Sequence, residues 1–431
     1  MDVAPLSRPP LGGEMRPPPP HRATTAHLQS VYPFVSGGGL DSGGPLLGRD
    51  LLGGPFRFDP WELYRLGVIT NPNIVVMGQI GRGKSTFVKT FVSRQLAFGR
   101  QAWIVDPKGE YGPLAESFGC HPVALVPGGV TRLNPLDVPS RAIGKPPTAS
   151  GIEACVRPRL ELTTALLTSS LTRPVTPEER AAVEVAVRRV SKDHERPTLP
   201  DLVEAMLAPE PSSVDPLGYD PVSLAASSRA AALELRRMVR GDLAGMFDGP
   251  TTEGLGIDGR LVVIDLSATF SSPALPLIMA CATAWLQASL SVEQPVKRLV
   301  VLDEAWAILS DLATARWSQA TFKLSRALGV SNLVVVHRLS DLRALGDDAS
   351  KHHKLAEGLL ADSETRVCFA QPASEVAATA ALVGLNSTES EALAHLPRGV
   401  ALWKVGDRSY LVEHLVSASE QAMVDTDAAI R

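Results

Sequence analysis

Short runs of apolar, often β-branched residues recur along the chain, separated by stretches with helical patterns. Several runs are apolar throughout rather than alternating, which is typical of strands buried on both faces of a sheet. With helices between them, the runs predict an α/β fold, a three-layer domain around a mainly parallel sheet. The last run and the segment after Gly406 and Asp407 predict an antiparallel hairpin at the edge of that sheet. The runs lie at 73–78, 102–106, 261–266, 298–303, 332–337, 366–370 and 400–405.

Two regions depart from this alternation. Residues 1–46 include RPPLGGEMRPPPPHR and SGGGLDSGGP, a composition that cannot bury enough apolar surface to offset chain entropy, so a disordered arm is predicted. Residues 148–250 have helical patterns joined by proline-rich connections at 197–221, which predicts an all-helical insertion. The α/β domain would then consist of 47–147 and 251–431.

The uncharged stretch from 266 to 292 is better explained by a buried helix than by a membrane span. Prolines and hydroxyl side chains interrupt it, and its apolar core, LPLIMACATAWL, is shorter than the roughly 20 apolar residues that a bilayer requires. The stretch therefore predicts a helix packed between two strands.

The amino-acid composition argues against extensive binding to nucleic acid and against a disulfide-bonded protein. The 431 residues are 45% hydrophobic and carry a net charge of −4, so no bulk basic field is available for gripping nucleic acid. The four cysteines are far apart and form no C-x-x-C pair, which indicates reduced thiols in a cytosolic protein. Contact with DNA would have to come from a local loop or an oligomeric pore.

The segment VVMGQIGRGKSTFV, at 75–88, contains the pattern G-x-x-x-x-G-K-[ST] between a predicted strand and a predicted helix, the setting of a phosphate-binding loop. Glycines let backbone N–H groups converge on phosphates, and the helix N-terminus adds positive potential. Lys84 is expected to reach the β- and γ-phosphates during catalysis, and the Ser85 hydroxyl to ligate Mg²⁺. The predicted nucleotide-binding residues are Gly78, Gln79, Ile80, Gly81, Arg82, Gly83, Lys84, Ser85 and Thr86.

A second acidic element follows the apolar run in RLVVLDEAW. Asp303 and Glu304 stand at the carboxyl end of a predicted strand. Asp303 is predicted to hold the Mg²⁺ shell, and Glu304 to polarise the attacking water as general base. An adjacent glutamate also points away from kinases and small GTPases. The pair predicts hydrolysis of the bound nucleotide.

Four segments, GQIGRGKST, IVDPKGEYGPLA, VVLDEAW and LSRALGVSNLVVVHRLSDL, stand in this order and together resemble the FtsK–HerA group of hexameric motor ATPases. DPKGEY, DEAW and the inserted helical region are most similar to the energising ATPases of conjugative type IV secretion systems, the TraC/VirB type. The arginine- and alanine-rich sequence resembles their actinobacterial branch. The resemblance covers about residues 47–420 and implies a RecA-like P-loop ATPase core.

The resemblance also implies roles for single residues. Arg326 matches the arginine that this group presents to a neighbouring subunit's ATP, although a cation late in a helix also suits the helix dipole. Asp106, Lys108 and Glu110 follow a predicted strand, where loops face the nucleotide; they either couple the site to its neighbour or form a structural turn. His337 stands where the group commonly carries a glutamine sensor, and an imidazole would make that sensor pH-dependent.

The implied function is that of an ATP-hydrolysing motor for conjugative transfer or type IV secretion. It would use ATP and Mg²⁺ and complete its active site between the subunits of a homo-hexamer. Inner-membrane components of the channel are the implied partners, which implies a cytoplasmic location, peripheral at the cytoplasmic face of the membrane. Typical members carry a large N-terminal docking domain, whereas 46 residues precede the core here, so docking is expected to depend on a separate partner.

Two other functions stay open. A DNA translocase or coupling protein of the HerA or FtsK sort would need a basic pore loop, but 338–354 combines cations with three aspartates. A direct contact with DNA is therefore an open prediction. An ATP-binding assembly subunit that does not hydrolyse ATP would not need an intact Lys84, Asp303 and Glu304.

Overall fold

A computed structural model of the protein describes residues 39–40, 42–137, 149–210, 220–253, 255, 259–288, 296–324, 328–337, 358 and 362–424. Within these residues one sheet contains eleven strands, in the spatial order β2-β1-β11-β10-β9-β3-β8-β7-β4-β6-β5. The strands are β1 (Leu46–Asp50), β2 (Pro55–Arg57), β3 (Ile74–Met77), β4 (Gln101–Asp106), β5 (Val123–Ala124), β6 (Leu261–Asp265), β7 (Arg298–Leu302), β8 (Val330–Val336), β9 (Thr365–Phe369), β10 (Val400–Val405) and β11 (Arg408–His414).

Seven strands, from β9 to β5 in the spatial order, pair in parallel. The predicted mainly parallel sheet is therefore confirmed. Strand β8 lies between β3 and β7, with Met77 level with Val336 and Leu302 level with Val334. Because parallel strands end at the same edge of a sheet, the residues that follow β3, β8, β7 and β4 lie side by side.

The other end of the sheet is antiparallel. Strands β10 and β11 form the predicted hairpin, but its predicted place at the sheet edge is wrong, because β1 pairs with β11 and β2 pairs with β1. These strands have five and three residues, too few to leave a recognisable alternation in the sequence. The close approach of β1 requires glycine at 48, since a Cβ there would overlap the carbonyl oxygen of Glu413.

The described helices cover both faces of the sheet. They are α1 (Pro60–Arg65), α2 (Lys84–Ala97), α3 (Gly112–Ser117), α4 (Ala149–Leu171), α5 (Pro177–Asp193), α6 (Leu199–Leu207), α7 (Pro221–Arg240), α8 (Leu275–Ala288), α9 (Trp306–Leu309), α10 (Leu312–Leu324), α11 (Ala373–Val383), α12 (Ser387–His395) and α13 (Gln421–Val424).

Alternate residues of β3 show how the two layers are divided. Val75 and Met77 join the hydrophobic cluster that includes side chains of α4 to α9. Ile74 and Val76 join the cluster on the opposite face, which includes α1, α2 and α3. Both faces of β3 are therefore buried, which explains why its sequence, IVVM, is apolar at every position.

Four helices, α4 to α7, follow β5 and precede β6. Helix α6 lies within 197–221, where only connections were predicted, so that prediction is wrong for 199–207. Thr198 and Asp201 form a capping box at its start, and Pro200 falls in the first turn, where a missing N–H does no harm. The division of the chain at 147 and 250 stays a prediction.

Helix α8 is the buried helix predicted for LPLIMACATAWL, and it belongs to the same cluster as α4 to α7. Ile278 and Cys281 are fully buried in it. Among the described helices, none combines the length and apolarity needed to cross a membrane.

Packing against the core begins before residue 46. Leu40 is 4% exposed and joins the cluster that contains α1 and α2. Ser42 is buried too, and its hydroxyl donates to Glu62 over 3.1 Å. The ordered part of the chain thus begins ahead of the predicted end of the arm, because an apolar side chain at 40 finds a closed site. Residues 1–38 lie outside the described residues, and their disorder stays a prediction.

Leu40→Ala is expected to lower the free energy of unfolding by about 2–4 kcal/mol, since it removes buried methyl groups and leaves a cavity. The matched control is Leu46→Ala, at a leucine that is 38% exposed, where a change within about 0.5 kcal/mol is expected. Urea unfolding followed by circular dichroism measures both. Equal stability of the two variants would contradict the burial of Leu40.

Candidate active site

The predicted phosphate loop connects β3 to α2. Three of its glycines have positive φ angles, +151° at Gly78, +78° at Gly81 and +108° at Gly83. At Gly78 there is also no room for a side chain, because a Cβ would lie 2.5 Å from that of Phe369. Gly83 is the N-cap of α2, whose first N–H groups lack carbonyl partners within the helix. The loop therefore has the backbone conformation of an anion cradle.

Lys84 is the first residue of α2 and is 5% exposed. Its Nζ donates to the carbonyl oxygens of Gly78, at 2.5 Å, and Gln79, at 3.1 Å. Burial lowers the pKa of this ammonium to about 8, against the opposing effect of Glu304 and Asp303. These two carbonyl groups hold the ammonium at the loop. It can leave them to bind an anionic ligand, which forms a stronger hydrogen bond.

The remaining loop residues differ in exposure. Ile80 is 69% exposed, whereas Gln79, Arg82, Ser85 and Thr86 are half-buried. The Ser85 hydroxyl belongs to the first turn of α2, beside Lys84, as its predicted role as a Mg²⁺ ligand requires. That role stays a prediction.

The loop is fastened to the antiparallel part of the sheet. The N–H of Gln79 donates to Ala370, and the carbonyl of Arg82 accepts from Gly399. The carbonyl of Gly399 accepts in turn from the backbone N–H and from Nδ1 of His414. His414 Nε2 accepts from the indole of Trp403 at 3.1 Å. The buried imidazole is thus neutral, with its proton on Nδ1, and it supports the phosphate loop through Gly399.

Asp303 and Glu304 follow β7 and are 5% and 3% exposed. The Tyr111 hydroxyl donates to Asp303 Oδ2 at 3.0 Å. Burial raises the pKa of the Asp303 carboxyl, and the neighbouring charge of Glu304 raises it further. The pKa of Tyr111 is also raised well above its usual value by burial and by Asp303, so Tyr111 remains a hydrogen-bond donor. A divalent cation would relieve the repulsion between the two buried carboxylates.

Three donors occupy the Glu304 carboxylate. Lys108 Nζ lies 2.5 Å and His337 Nε2 lies 2.6 Å from Oε1, and Trp306 Nε1 lies 2.5 Å from Oε2. Burial alone would raise the pKa of Glu304, but the hydrogen bonds and charges of His337 and Lys108 outweigh burial and lower it to about 2. Glu304 also has a φ of +49°, a strained conformation for a residue with a side chain.

The turn after β4 brings Lys108 to this carboxylate. Asp106 Oδ1 accepts from the N–H groups of Lys108 and Gly109, at 3.2 and 2.9 Å, and its Oδ2 accepts from that of Tyr111 at 2.9 Å. Burial raises the pKa of Asp106 to about 6, although the backbone donors oppose it. Asp106 shapes the turn, Lys108 reaches Glu304, and Glu110 is half-buried beside them. A role in coupling subunits stays a prediction.

The structure thus brings Lys84, Glu304, Asp303, Lys108 and His337 to one edge of the sheet. Arg326 and the segment 338–354 lie outside the described residues, so their predicted roles are not decided by this geometry.

Solved structures with this architecture are VirB4 of Thermoanaerobacter pseudethanolicus, with a TM-score of 0.69, and the plasmid coupling protein TrwB in complex with ADP and Mg²⁺, with 0.54. VirB4 is 22% identical in sequence, and the match covers 89% of this chain and 100% of VirB4. TrwB is 17% identical, and the match covers 90% of this chain and 95% of TrwB. No protein-family model matches the sequence, and neither does any curated protein.

The protein has the RecA-like P-loop ATPase fold of VirB4 and TrwB. The predicted fold is therefore confirmed, whereas the actinobacterial branch stays a prediction. The same comparison includes TrwB with a non-hydrolysable ATP analogue, ADPNP, at a TM-score of 0.54. In this fold the strand between the phosphate-loop strand and the acidic strand is β8, which ends at His337.

Several residues of the site had not been assigned a role from the sequence. Tyr111 and Trp306 stand inside the motifs DPKGEY and DEAW, so the motifs marked them without indicating what they contact. Gly399 and His414 belong to no motif, and no sequence pattern links them to the phosphate loop. Their contribution depends on pairing between strands that are distant from the loop in sequence.

His414 predicts a loss of stability in acid. Burial lowers its pKa from 6.5 to about 4. Between these values the unfolded chain binds a proton that the folded chain does not, so stability rises with pH across the window and falls as pH drops through it. The expected loss between pH 7.5 and pH 5 is about 2 kcal/mol. His414→Gln, which keeps an acceptor but cannot titrate, should lack this component in urea unfolding at both pH values. An unchanged pH slope would contradict the assignment.

Proposed function

We propose that the protein is an ATP-hydrolysing motor of a conjugative or type IV secretion apparatus. The observation that carries the proposal is the convergence, at one edge of a RecA-like sheet, of a phosphate loop ending in Lys84 and the buried pair Asp303 and Glu304. A loop alone would support binding, whereas a buried carboxylate beside it supports hydrolysis. The likeness in fold to VirB4, which is greater than that to TrwB, supports the choice of apparatus.

The residues divide the work by chemistry. Backbone N–H groups of residues 78–86 and the Lys84 ammonium bind the phosphates of ATP, and Ser85 and Asp303 hold Mg²⁺. Mg²⁺ at this position would supply positive charge that stabilises the charge developing on the phosphates. Glu304 orients the attacking water and accepts its proton. Tyr111 keeps Asp303 oriented through its hydroxyl.

The active site is completed between subunits of a hexamer, with Arg326 as the trans cation. Support comes from the resemblance of the segment LSRALGVSNLVVVHRLSDL to the motor group, in which Arg326 matches the arginine presented to a neighbouring subunit's ATP.

The motor works at the cytoplasmic face of the membrane, against inner-membrane components of the channel. A role as a coupling protein that moves DNA is the second candidate, favoured by the shared fold with TrwB. Turnover of ATP with and without single- and double-stranded DNA separates the two, because a DNA translocase is expected to be stimulated and an apparatus ATPase is not.

Lys84→Ala and Glu304→Gln are expected to separate binding from chemistry. Lys84→Ala removes the buried ammonium, so the affinity for ATP should fall by roughly tenfold or more. Glu304→Gln leaves the loop intact but removes the base, so ATP should bind while turnover falls by about 10²-fold or more. Calorimetric titration and a phosphate-release assay measure the two effects. Wild-type turnover in Glu304→Gln would rule out the general base and favour a subunit that only binds ATP.

Arg326→Ala is expected to bind ATP normally but to hydrolyse it about 10³-fold more slowly, by analogy with known trans arginines. Mixing it with Lys84→Ala should restore part of the activity, because some interfaces then pair an intact loop with an intact arginine. Specific activity of the wild type should also rise with protein concentration. Native mass spectrometry confirms mixed oligomers; an inactive mixture that contains them would reject the shared site.

A further inference from the structure

Lys108 is a partly exposed member of the group of side chains around the buried Glu304. Its side chain is 30% exposed, whereas that of Glu304, 2.5 Å from its Nζ, is 3% exposed. The Asp106 turn fixes the backbone of Lys108, but the four-carbon stem leaves the ammonium able to swing. The ammonium lies 5.8 Å from the centre of the Phe270 ring, a weak contact compared with an ion pair. The backbone of Lys108 is therefore fixed, while its ammonium group can change partners.

The ammonium of Lys108 shares its surroundings with that of Lys84. The positive charge of Lys108 contributes to lowering the pKa of Lys84, after the larger effects of burial and of the two carboxylates. Two cations at the same edge of the sheet provide suitable partners for a polyanion. Lys108 follows β4, which is the third strand from β3 in the sheet. For a nucleotide bound at the phosphate loop, we therefore expect the terminal phosphate to lie nearest to Lys108.

The contacts of Glu304 oppose its use as a base as long as Lys108 remains bound to it. An ionised carboxylate has about four acceptor positions, and Lys108, His337 and Trp306 occupy three of them. Lys108 and His337 both contact Oε1, so a water that is to approach this oxygen has to take the place of one of them. Of these two side chains that of Lys108 is the more exposed, at 30% against 17%.

We propose that Lys108 senses the terminal phosphate of a nucleoside triphosphate. When the triphosphate binds, the ammonium leaves the carboxylate of Glu304 for the γ-phosphate, and the acceptor position that it vacates on Oε1, beside His337 Nε2, becomes available to the attacking water. A nucleoside diphosphate has no group at that position, so Lys108 stays on Glu304. The inference rests on the proposed function and assigns a positioning residue to it within the same subunit.

A double-mutant cycle tests the exchange, with ADP and a non-hydrolysable ATP analogue titrated calorimetrically into four proteins: wild type, Glu304→Gln, Lys108→Ala and the double variant. Glu304→Gln removes the competing charge, so the analogue should bind about tenfold more tightly than to wild type, while the affinity for ADP stays the same. Lys108→Ala should weaken the analogue about tenfold without affecting ADP. In the double variant the gain from Glu304→Gln should be absent.

Two controls separate sensing from support of the fold. Lys108→Arg keeps the cation and should retain most of the preference for the triphosphate, whereas Lys192→Ala, at an exposed lysine of α5, should leave both affinities unchanged. If Lys108→Ala unfolds, Lys108→Gln takes its place in the cycle. An equal gain from Glu304→Gln with and without Lys108, or an unchanged preference in Lys108→Ala, would overturn the inference while the proposed function stands. A wild-type protein that binds neither nucleotide would overturn both.

Discussion

In a parallel sheet the carboxyl ends of all strands lie at the same edge, and the candidate site depends on that constraint. Strands β3, β8, β7 and β4 are neighbours in this sheet although they are far apart in sequence. Their carboxyl ends therefore carry the phosphate loop, His337, the acidic pair and the Asp106 turn to adjacent positions. The apolar residues that bury both faces of these strands fix the register, and the register fixes the distances between the polar groups at their ends.

Electrostatics then decides which side chains can be placed at that edge. A buried carboxylate without partners would be strongly destabilising, and the two at the end of β7 are compensated differently. Asp303 accepts hydrogen bonds from the Tyr111 hydroxyl and from the backbone N–H of Glu304. Neither donor is charged, so the Asp303 carboxylate can still bind a cation. Glu304 is surrounded by donors, two of them basic side chains, and is held in a strained backbone conformation. Adjacent residues thus acquire different chemistry from their surroundings.

Sequence alone was sufficient for the parts of the fold that repeat a pattern. The continuous apolar runs located β3, β4 and β6 to β10 to within a residue or two, because burial on both faces favours apolar residues at successive positions. Strands β1, β2 and β5 were missed, since two to five residues do not establish a period. Helix α6 was missed because Pro200 looked like a connection, although proline suits a first turn.

The site shows a similar division. The phosphate loop and the acidic pair are local in sequence and were predicted with their residues. The Trp306 contact to Glu304 is local, within DEAW. The contacts from Lys108 and His337 arise from strand order and turn geometry, which no local pattern contains.

His337 illustrates what the sheet adds to a sequence motif. In the sequence it is a departure from the glutamine that similar motors carry, and its chemistry is ambiguous. In the structure its Nε2 faces an ionised carboxylate, which can only accept, so this nitrogen carries the proton. A glutamine amide would donate to Glu304 in the same way. Since β8 lies between the phosphate-loop strand and the acidic strand, the imidazole lies between the phosphate loop and the acidic pair. Strand order thus explains a contact between His337 and Glu304 that the sequence motif alone does not indicate.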